Sequence, residues 1–463
     1  ENILIPYINL ENGQDSYYRL NVDGMYENQG NSSNYFENIE LLANDSLFIF
    51  IETTIDINNL PSESNQFLYT DKIQFDTGYN QQTVDLITLV KDAVFIYPNK
   101  YTDSSTGETI TETLNFDINN DGISDETNIQ GRFLSENELN FTNEKPYVIY
   151  GYAGVPSNSI LTIDKGARVH FHSNSGIVVT SEGSIQVNGE FSQDQEVLEN
   201  EVIFEGDRLE PFYQDISGQW QAIWLYNGSV NNIVNHATIK NGTIGVLCDG
   251  DEQDPSKFQI TNSQVYNHSN FGILGRATSI IAENIVINNC GLSSFAGTFG
   301  GNYNITHSTI VNYWSSSFRQ FPALLLNNFI VDIENEVTTN PMITANFTNC
   351  IIYGNNNPEL LIEKEISEGL NFKFTNSLIY FDDLNGNFTS AEYDFSNSTT
   401  YENVIFNNDP LFLDPNNNRL TIPVGSPAQG AGIIYGNTNK DITNTLRNQP
   451  PDIGAYNAIE FDD

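Results

Sequence analysis

Basic residues are scarce in this chain. Eighteen Lys and Arg stand against sixty Asp and Glu over 463 residues, a net charge of -42 at pH 7. Such a charge repels phosphate backbones and the anionic faces of membranes, so nucleic-acid binding is not expected. Cysteine is nearly absent: Cys248, Cys290 and Cys350 are the only three, an odd number that cannot form a complete set of internal disulfides. They read as small buried residues, and Cys248 and Cys290 fall at unlike places in the chain's repeat, so no bridge between them is expected. No apolar run reaches the length of about eighteen residues that a transmembrane helix needs. Residues Glu1 to Leu10 lack the charged-then-apolar layout of a signal peptide, and the chain is expected to start after a processed leader.

What is present is apolar and aromatic enough to fold. Apolar residues make up 39% and aromatics 12%, so the acidity does not come with the aromatic-poor composition of a disordered chain. Charged residues, at 17%, fall below the usual quarter. Asn, Ser, Thr and Gly carry the remaining polarity beside Ile, Val, Phe and Tyr, a usage that favours strands and turns over helices.

Self-similarity sets the architecture. Segments starting at Asn235, Thr261, Glu283, Thr306, Thr348 and Thr375 share an Asn or His, a small residue and then alternating Val or Ile, with starts 22 to 42 residues apart. That spacing suits coils of a parallel β-solenoid, each burying its apolar side chains on the next. Asn262, Asn349 and Asn376 recur at one place in the coil and are expected to stack as an inward ladder of amides, unless they only mark turns. Ile160 to His172, Gly176 to Val187 and Val202 to Phe204 share the texture and should form the first coils. The expectation is an all-β chain: a small N-terminal β-sandwich over 1–100, where Asp45 to Asp56 and Asp71 to Leu89 alternate with period two; a connector over 101–145; a right-handed parallel β-helix over 146–408; and a C-terminal cap over 409–463, rich in Pro, Asn and Gly.

The sharpest local motif lies in the connector. Asp117, Asn119, Asp121 and Asp125 place oxygen side chains at positions 1, 3, 5 and 9, Gly122 supplies the sharp turn at position 6, and the Ile123 carbonyl falls at position 7. A hard cation that wants six to eight oxygens around one point fits this spacing, so structural Ca²⁺ is expected. Asn128 stands where an EF-hand would have a bidentate Glu, which makes the loop more like those of extracellular repeat modules. An Asp/Asn/Gly turn that binds nothing is the plain alternative. Trp220, Trp224 and Trp314, with Tyr313 and Phe318, fall in segments that stacking should bring close, giving an aromatic shelf for a sugar or protein partner or a plug for the core. The stretch from Trp314 to Leu326 breaks the repeat, and insertions in solenoids emerge on one face.

Three stretches carry a resemblance. Asp409 to Pro415, Ser426 to Gly432, and Arg447 followed by Pro451 to Tyr456 resemble the C-terminal signature of right-handed parallel β-helix repeat proteins exported by the phylum Bacteroidota. Leu139 to Tyr152, Phe204 to Tyr213 and Gly218 to Leu225 are similar to a subgroup of uncharacterised outer-membrane or surface lipoproteins. The chain departs from that signature at Asn457, where an acid is usual, and around Gln429 and Gly430, where an acidic residue is missing. The resemblance implies export, a lipidated Cys ahead of Glu1 and a place at the cell surface, but no reaction.

A lyase on such a fold needs a base and a charge neutraliser. The candidates are Arg208, Lys240, Arg276, His307 and Arg319, with Asp249, Asp251 and Asp254 as a second cation site. They form no recognisable constellation. Arg168, His170 and His172 share one strand face, expected to be the outer one. The favoured function is therefore a non-enzymatic lipoprotein that serves as scaffold or accessory subunit of an outer-membrane complex for protein assembly, secretion or glycan uptake, with barrel proteins and other lipoproteins as partners. The alternatives are a polysaccharide lyase or hydrolase and a glycan-binding adhesin.

Overall fold

The computed structural model describes residues 2–25, 34–55, 68–90, 92–118, 121–436 and 438–461. It is nearly all β, and its helical pieces among the described residues are three-residue 3-10 turns. No helix is long and apolar enough to cross a membrane among those residues. The chain divides into two compact units, Glu1–Ala93 and essentially all that follows.

In the first unit four strands lie in the order Tyr35–Leu41, Ile3–Leu10, Leu68–Phe75, Gln82–Leu89, every pair antiparallel. Tyr18–Val22 pairs antiparallel with Ile49–Thr53. Alternate residues of both sheets, among them Ile8, Leu10, Ile73, Tyr18, Leu20 and Val22, fall in one buried cluster, as a two-residue period with one apolar face requires.

The second unit is built from three columns of parallel strands that the chain visits in rotation. One turn of the rotation runs through Tyr152–Val155, Ile160–Asp164 and Arg168–Phe171. The next runs through Gly176–Val179, Ser184–Asn188 and Val202–Gly206, each strand pairing parallel with its counterpart one turn earlier. Two long strands, Phe271–Glu283 and Phe295–Thr306, span the first two columns and fuse them into one 17-stranded sheet; the third column is an 11-stranded sheet. Register in the third column never slips. Val94, Tyr147, Val169, Phe204, Ile239, Val265, Ile287, Ile310, Ile352, Ile379 and Phe406 pair in one row, and the row belongs to a core that runs the length of the unit. A one-residue slip would turn this whole row outward, so burial fixes the register.

The parallel sheets begin earlier than the sequence suggests. Val94–Ile96, expected in the sandwich, pairs with Tyr147–Ile149. Gly131–Phe133 and Asn140–Phe141, expected in the connector, pair with Tyr152–Gly154 and Thr162–Ile163.

Between the second and third columns the chain turns on a single left-handed residue. His236, Asn262, Asn284, His307, Asn349, Asn376 and Asn403 occupy this corner with φ between 46° and 55°. Asn tolerates that conformation better than other residues with a side chain. The backbone N–H of each of the first six donates to a carbonyl one turn on, Asn262 to Glu283 and Asn349 to Thr375 among them. The small Ser that follows at 263, 308 and 377 is wholly buried.

The amide ladder exists, but it faces the opposite way from the sequence expectation. Asn262 Nδ2 donates to Asn235 Oδ1 at 3.0 Å and Asn284 Nδ2 to Asn262 Oδ1 at 3.1 Å. The corner amides also donate outward, to carbonyls of the C-terminal segment: Asn284 to Lys440, Asn349 to Ile433 and Asn376 to Ala431. That segment, expected to cap the last coil, instead lies along the flank of the third column. Leu420, Ile422, Ala428, Ile453 and Ala455 pack on the outward-facing Val286, Val311, Ile351 and Leu378. A solvent-facing sheet side of that composition demands cover, and the tail supplies it.

Two substitutions separate the corner's conformation from its hydrogen bonds. Asn376→Gly keeps the left-handed turn and loses the amide, for an expected stability loss of about 1 kcal/mol. Asn376→Val also forces a β-branched residue into positive φ and should lose at least about 2 kcal/mol more, read by chemical denaturation.

Candidate functional site

The loop after Phe116 folds around its own carboxylates. Asp117 accepts the N–H of Asp121 at 3.2 Å and of Gly122 at 2.8 Å, Asp121 accepts the N–H of Ile123 at 2.8 Å, and Asp125 accepts the N–H of Ile118 at 2.9 Å. Gly122 sits at φ 82° with open space around it. The loop is tied to the parallel columns through Tyr226, whose hydroxyl donates to the Ile118 carbonyl at 2.7 Å and whose ring meets Phe116 edge-on. Asn119 lies outside the described residues, and Asn128 is exposed. Among the described residues no three His, Cys, Asp or Glu side chains cluster as a metal site. Each carboxylate that accepts backbone N–H groups keeps further lone pairs.

The expected aromatic shelf does not form. Trp220 is wholly buried, stacked on Phe171 at 4.4 Å between ring centroids, with its indole N–H on the Lys240 carbonyl. Trp314 is buried and donates to Ser317. Trp224 donates to Asp249 at 2.7 Å, and Tyr313 packs edge-on against Phe412 of the tail. Phe318 alone of the five is largely open to solvent, at 89%. Trp220 and Trp314 therefore act as core, because stacking coils bury whatever large side chain points inward. A different aromatic row, which the sequence reading missed, runs from Phe95 through Tyr97 and Tyr150 to His172, with centroid spacings of 5.7, 4.8 and 4.4 Å. Its rings stack on one another, which leaves few free faces for a sugar.

The candidate cations are engaged. Arg319 and Glu359 form a buried pair at 2.6 Å, and Arg319 also holds the carbonyls of Phe321 and Asn312 and the Asn355 amide oxygen. Glu359 in turn accepts the N–H groups of Ala323 and Asn356. This lock folds the 313–323 insertion down. Arg276 chelates Asp249 with two bonds of 2.6 Å. Lys240 pairs with Glu205 at 2.9 Å, and Arg208 lies over the Tyr213 ring. Asp251 pairs with the fully buried Lys257, and Asp254 caps the backbone at Ser256, so Asp249, Asp251 and Asp254 do not converge on a cation. Arg168 and His170 are buried rather than on an open face: Arg168 donates to the carbonyls of Glu201, Val197 and Leu198 of a covering loop. His172 remains half exposed, 2.8 Å from Asp207.

Burial also silences the nucleophiles. It pushes the thiols of Cys248, Cys290 and Cys350 up to about 12, far from the thiolate form that reacts. Burial drives the His268 imidazole down to about 4, and burial with the nearby Arg447 charge drives His307 down to about 3. His307, Ile434, Thr438, Asn439, Leu446 and Arg447 are among the residues that line an open-sided cavity of about 410 Å³. The sequence flagged His307 only as an isolated candidate base; the cavity depends on the tail's path, which no local pattern encodes.

Comparison with known proteins gives no match to a protein-family model, to a curated protein or to a solved structure.

Two measurements check this reading. Arg319→Ala strands a buried carboxylate and should lose about 3–5 kcal/mol, whereas Arg276→Ala, where the arginine is half exposed and the buried Asp249 keeps the Trp224 indole N–H, should lose less in the same denaturation assay. A depressed imidazole binds fewer protons in the folded than in the unfolded chain, so stability should fall as pH drops from about 6.5 toward 4. His268→Gln should flatten that slope.

Proposed function

We propose that the second unit is a right-handed parallel β-helix and that the chain works as a non-enzymatic, lipid-anchored scaffold or accessory subunit of an outer-membrane protein complex. Rotation through three in-register columns supports the coil, and the strong right-handed preference of parallel crossovers supports its hand. Export rests on the resemblance of the C-terminal stretches, and the anchor and outer-membrane setting on that of Leu139 to Tyr152, Phe204 to Tyr213 and Gly218 to Leu225.

The observation that carries the scaffold reading is an apolar excursion from the coil. Phe329–Val331 and Val337–Thr339 form an antiparallel hairpin that exposes Ile330, Val331, Val337 and, fully, Ile333. The neighbouring loop presents Ile366, 91% exposed, and is bonded to the hairpin's base through Asn328 and Thr339. Asp332, Glu334, Glu336, Glu365 and Glu368 rim the patch. Exposed apolar surface with a charged rim is the composition of a protein interface. The partner this rim fits is a protein surface with an apolar centre bordered by Lys and Arg. The engaged state of Arg276, Arg319, Lys240 and Lys257 further supports a binding role over a catalytic one.

Purification of the native protein from its membrane in mild detergent should bring down a stoichiometric barrel or lipoprotein partner. The double variant Ile333→Asp, Ile366→Asp should lose that partner while keeping the same melting curve. Recovery of the protein alone in both cases contradicts the proposal.

The loop at Asp117 is proposed to hold Ca²⁺ through Asp117, Asn119, Asp121, Asp125, the Ile123 carbonyl and Asn128, with a structural role. Excess chelator should lower the melting temperature, and Asp121→Asn should abolish the response. A melt indifferent to chelator contradicts calcium binding.

A further inference from the structure

An Asn followed by Gly can react with its own backbone, because Gly has no Cβ to keep its amide nitrogen away from the Asn Cγ. The chain holds five such pairs: Asn12-Gly13, Asn188-Gly189, Asn227-Gly228, Asn241-Gly242 and Asn385-Gly386. Their sequence does not rank them, but their surroundings do. The reaction needs an exposed side-chain amide, a Gly N–H with no acceptor, and a turn that opens easily.

Three of the pairs are locked into the second unit. The Gly189 N–H donates to the Asn235 carbonyl at 3.0 Å, and the Gly228 N–H to Asp251 Oδ2 at 2.7 Å. Asn241 is 3% exposed; its Nδ2 donates to the Gln214 carbonyl at 2.9 Å and its Oδ1 accepts Asn267 Nδ2 at 2.6 Å. Asn385 is exposed, yet the Gly386 N–H donates to the Asp383 carbonyl at 3.3 Å.

Asn12 is the pair that meets every condition. Its side chain is exposed and makes no capping bond to the three-residue turn Gly13–Asp15 that follows it. The Gly13 N–H meets no acceptor among the described residues, and Gly13 has open space around it. The Asn12 carbonyl is held by the Asp15 N–H at 3.0 Å, with ψ of Asn12 at 0°. Swinging the Gly13 nitrogen onto Cγ breaks that one bond, at an exposed turn where water replaces it.

We propose that Asn12 is a site of spontaneous deamidation, with water as the co-reactant. The Gly13 nitrogen gives its proton to solvent hydroxide and attacks the Asn12 Cγ. The N–Cγ bond forms, the Cγ–Nδ2 bond breaks, and the amide leaves as ammonia after taking a proton from water. Water then opens the cyclic imide. Breaking the new N–Cγ bond gives aspartate; breaking the bond from the Gly13 nitrogen to the Asn12 backbone carbonyl carbon gives isoaspartate, which routes the chain through the side chain and adds a methylene to it. Nothing is oxidised or reduced. Either product adds a carboxylate to the residue whose backbone N–H Asp71 accepts at 3.2 Å. The site lies in the first unit and is independent of the scaffold reading.

Peptide mapping by mass spectrometry of the full chain, held in mildly alkaline buffer, tests the proposal, with isoaspartate and aspartate forms separated by chromatography. Deamidation at Asn12 should run at least about tenfold faster than at Asn188, Asn227 and Asn241, which react only through local opening, and faster than at Asn385. In denaturant the five rates should converge, since only the following Gly then matters. Gly13→Asn restores a Cβ at φ 53°, a conformation Asn tolerates, and should slow the loss of the Asn12 amide several-fold with the melt unchanged. An Asn12 rate no faster than that of Asn241 overturns the proposal. So does a rank order that persists in denaturant, or an Asn12 rate unchanged in Gly13→Asn.

Discussion

In a stack of parallel strands every coil must return to the same height, because each strand donates to and accepts from both neighbours along its length. In this chain the return depends on one left-handed residue between the second and third columns. His236, Asn262, Asn284, His307, Asn349, Asn376 and Asn403 all stand there, and each of the first six hands its N–H to the turn that follows. The corner holds the strands on either side at the register that burial selects. Asn284, Asn349 and Asn376 then present amides outward, and the tail binds to them. A single conformational requirement thus sets the coil, the ladder and the path of the last fifty residues or so.

The shortage of basic residues shapes the rest. With 18 Lys and Arg, the chain uses several of them to hold carboxylates that folding buries or half buries: Arg319 with Glu359, Lys257 with Asp251, Lys240 with Glu205. A buried pair of this kind fixes geometry more than it adds stability. It also removes the cation from chemistry.

The repeat was legible because its signal is local. An Asn or His, a small residue and alternating Val or Ile are what a left-handed corner, a tight interior and a two-residue strand period select. The early parallel strands at Ile160 and Gly176 were legible for the same reason. Val94–Ile96 was not, because three residues carry no period; only pairing with Tyr147–Ile149 reveals them. Whether Trp220 faced out or in could not be read from a segment whose neighbours alternate in both directions. The amide ladder was visible as a repeat of Asn, but its outward direction depends on the tail, whose match to Val286, Val311 and Ile351 spans from about 70 to about 170 residues of sequence.

The central claim is that the tail is bound to the corner column as an integral part of the second unit. Amide hydrogen exchange tests it directly. Ile433, Gly454 and Ala455 donate to Asn349 Oδ1, the Asn349 carbonyl and Thr309, so their exchange should be as slow as that of Ile310 and Ile352 in the third column. Exchange at the rate of a solvent-exposed loop, with the column still protected, would contradict the account.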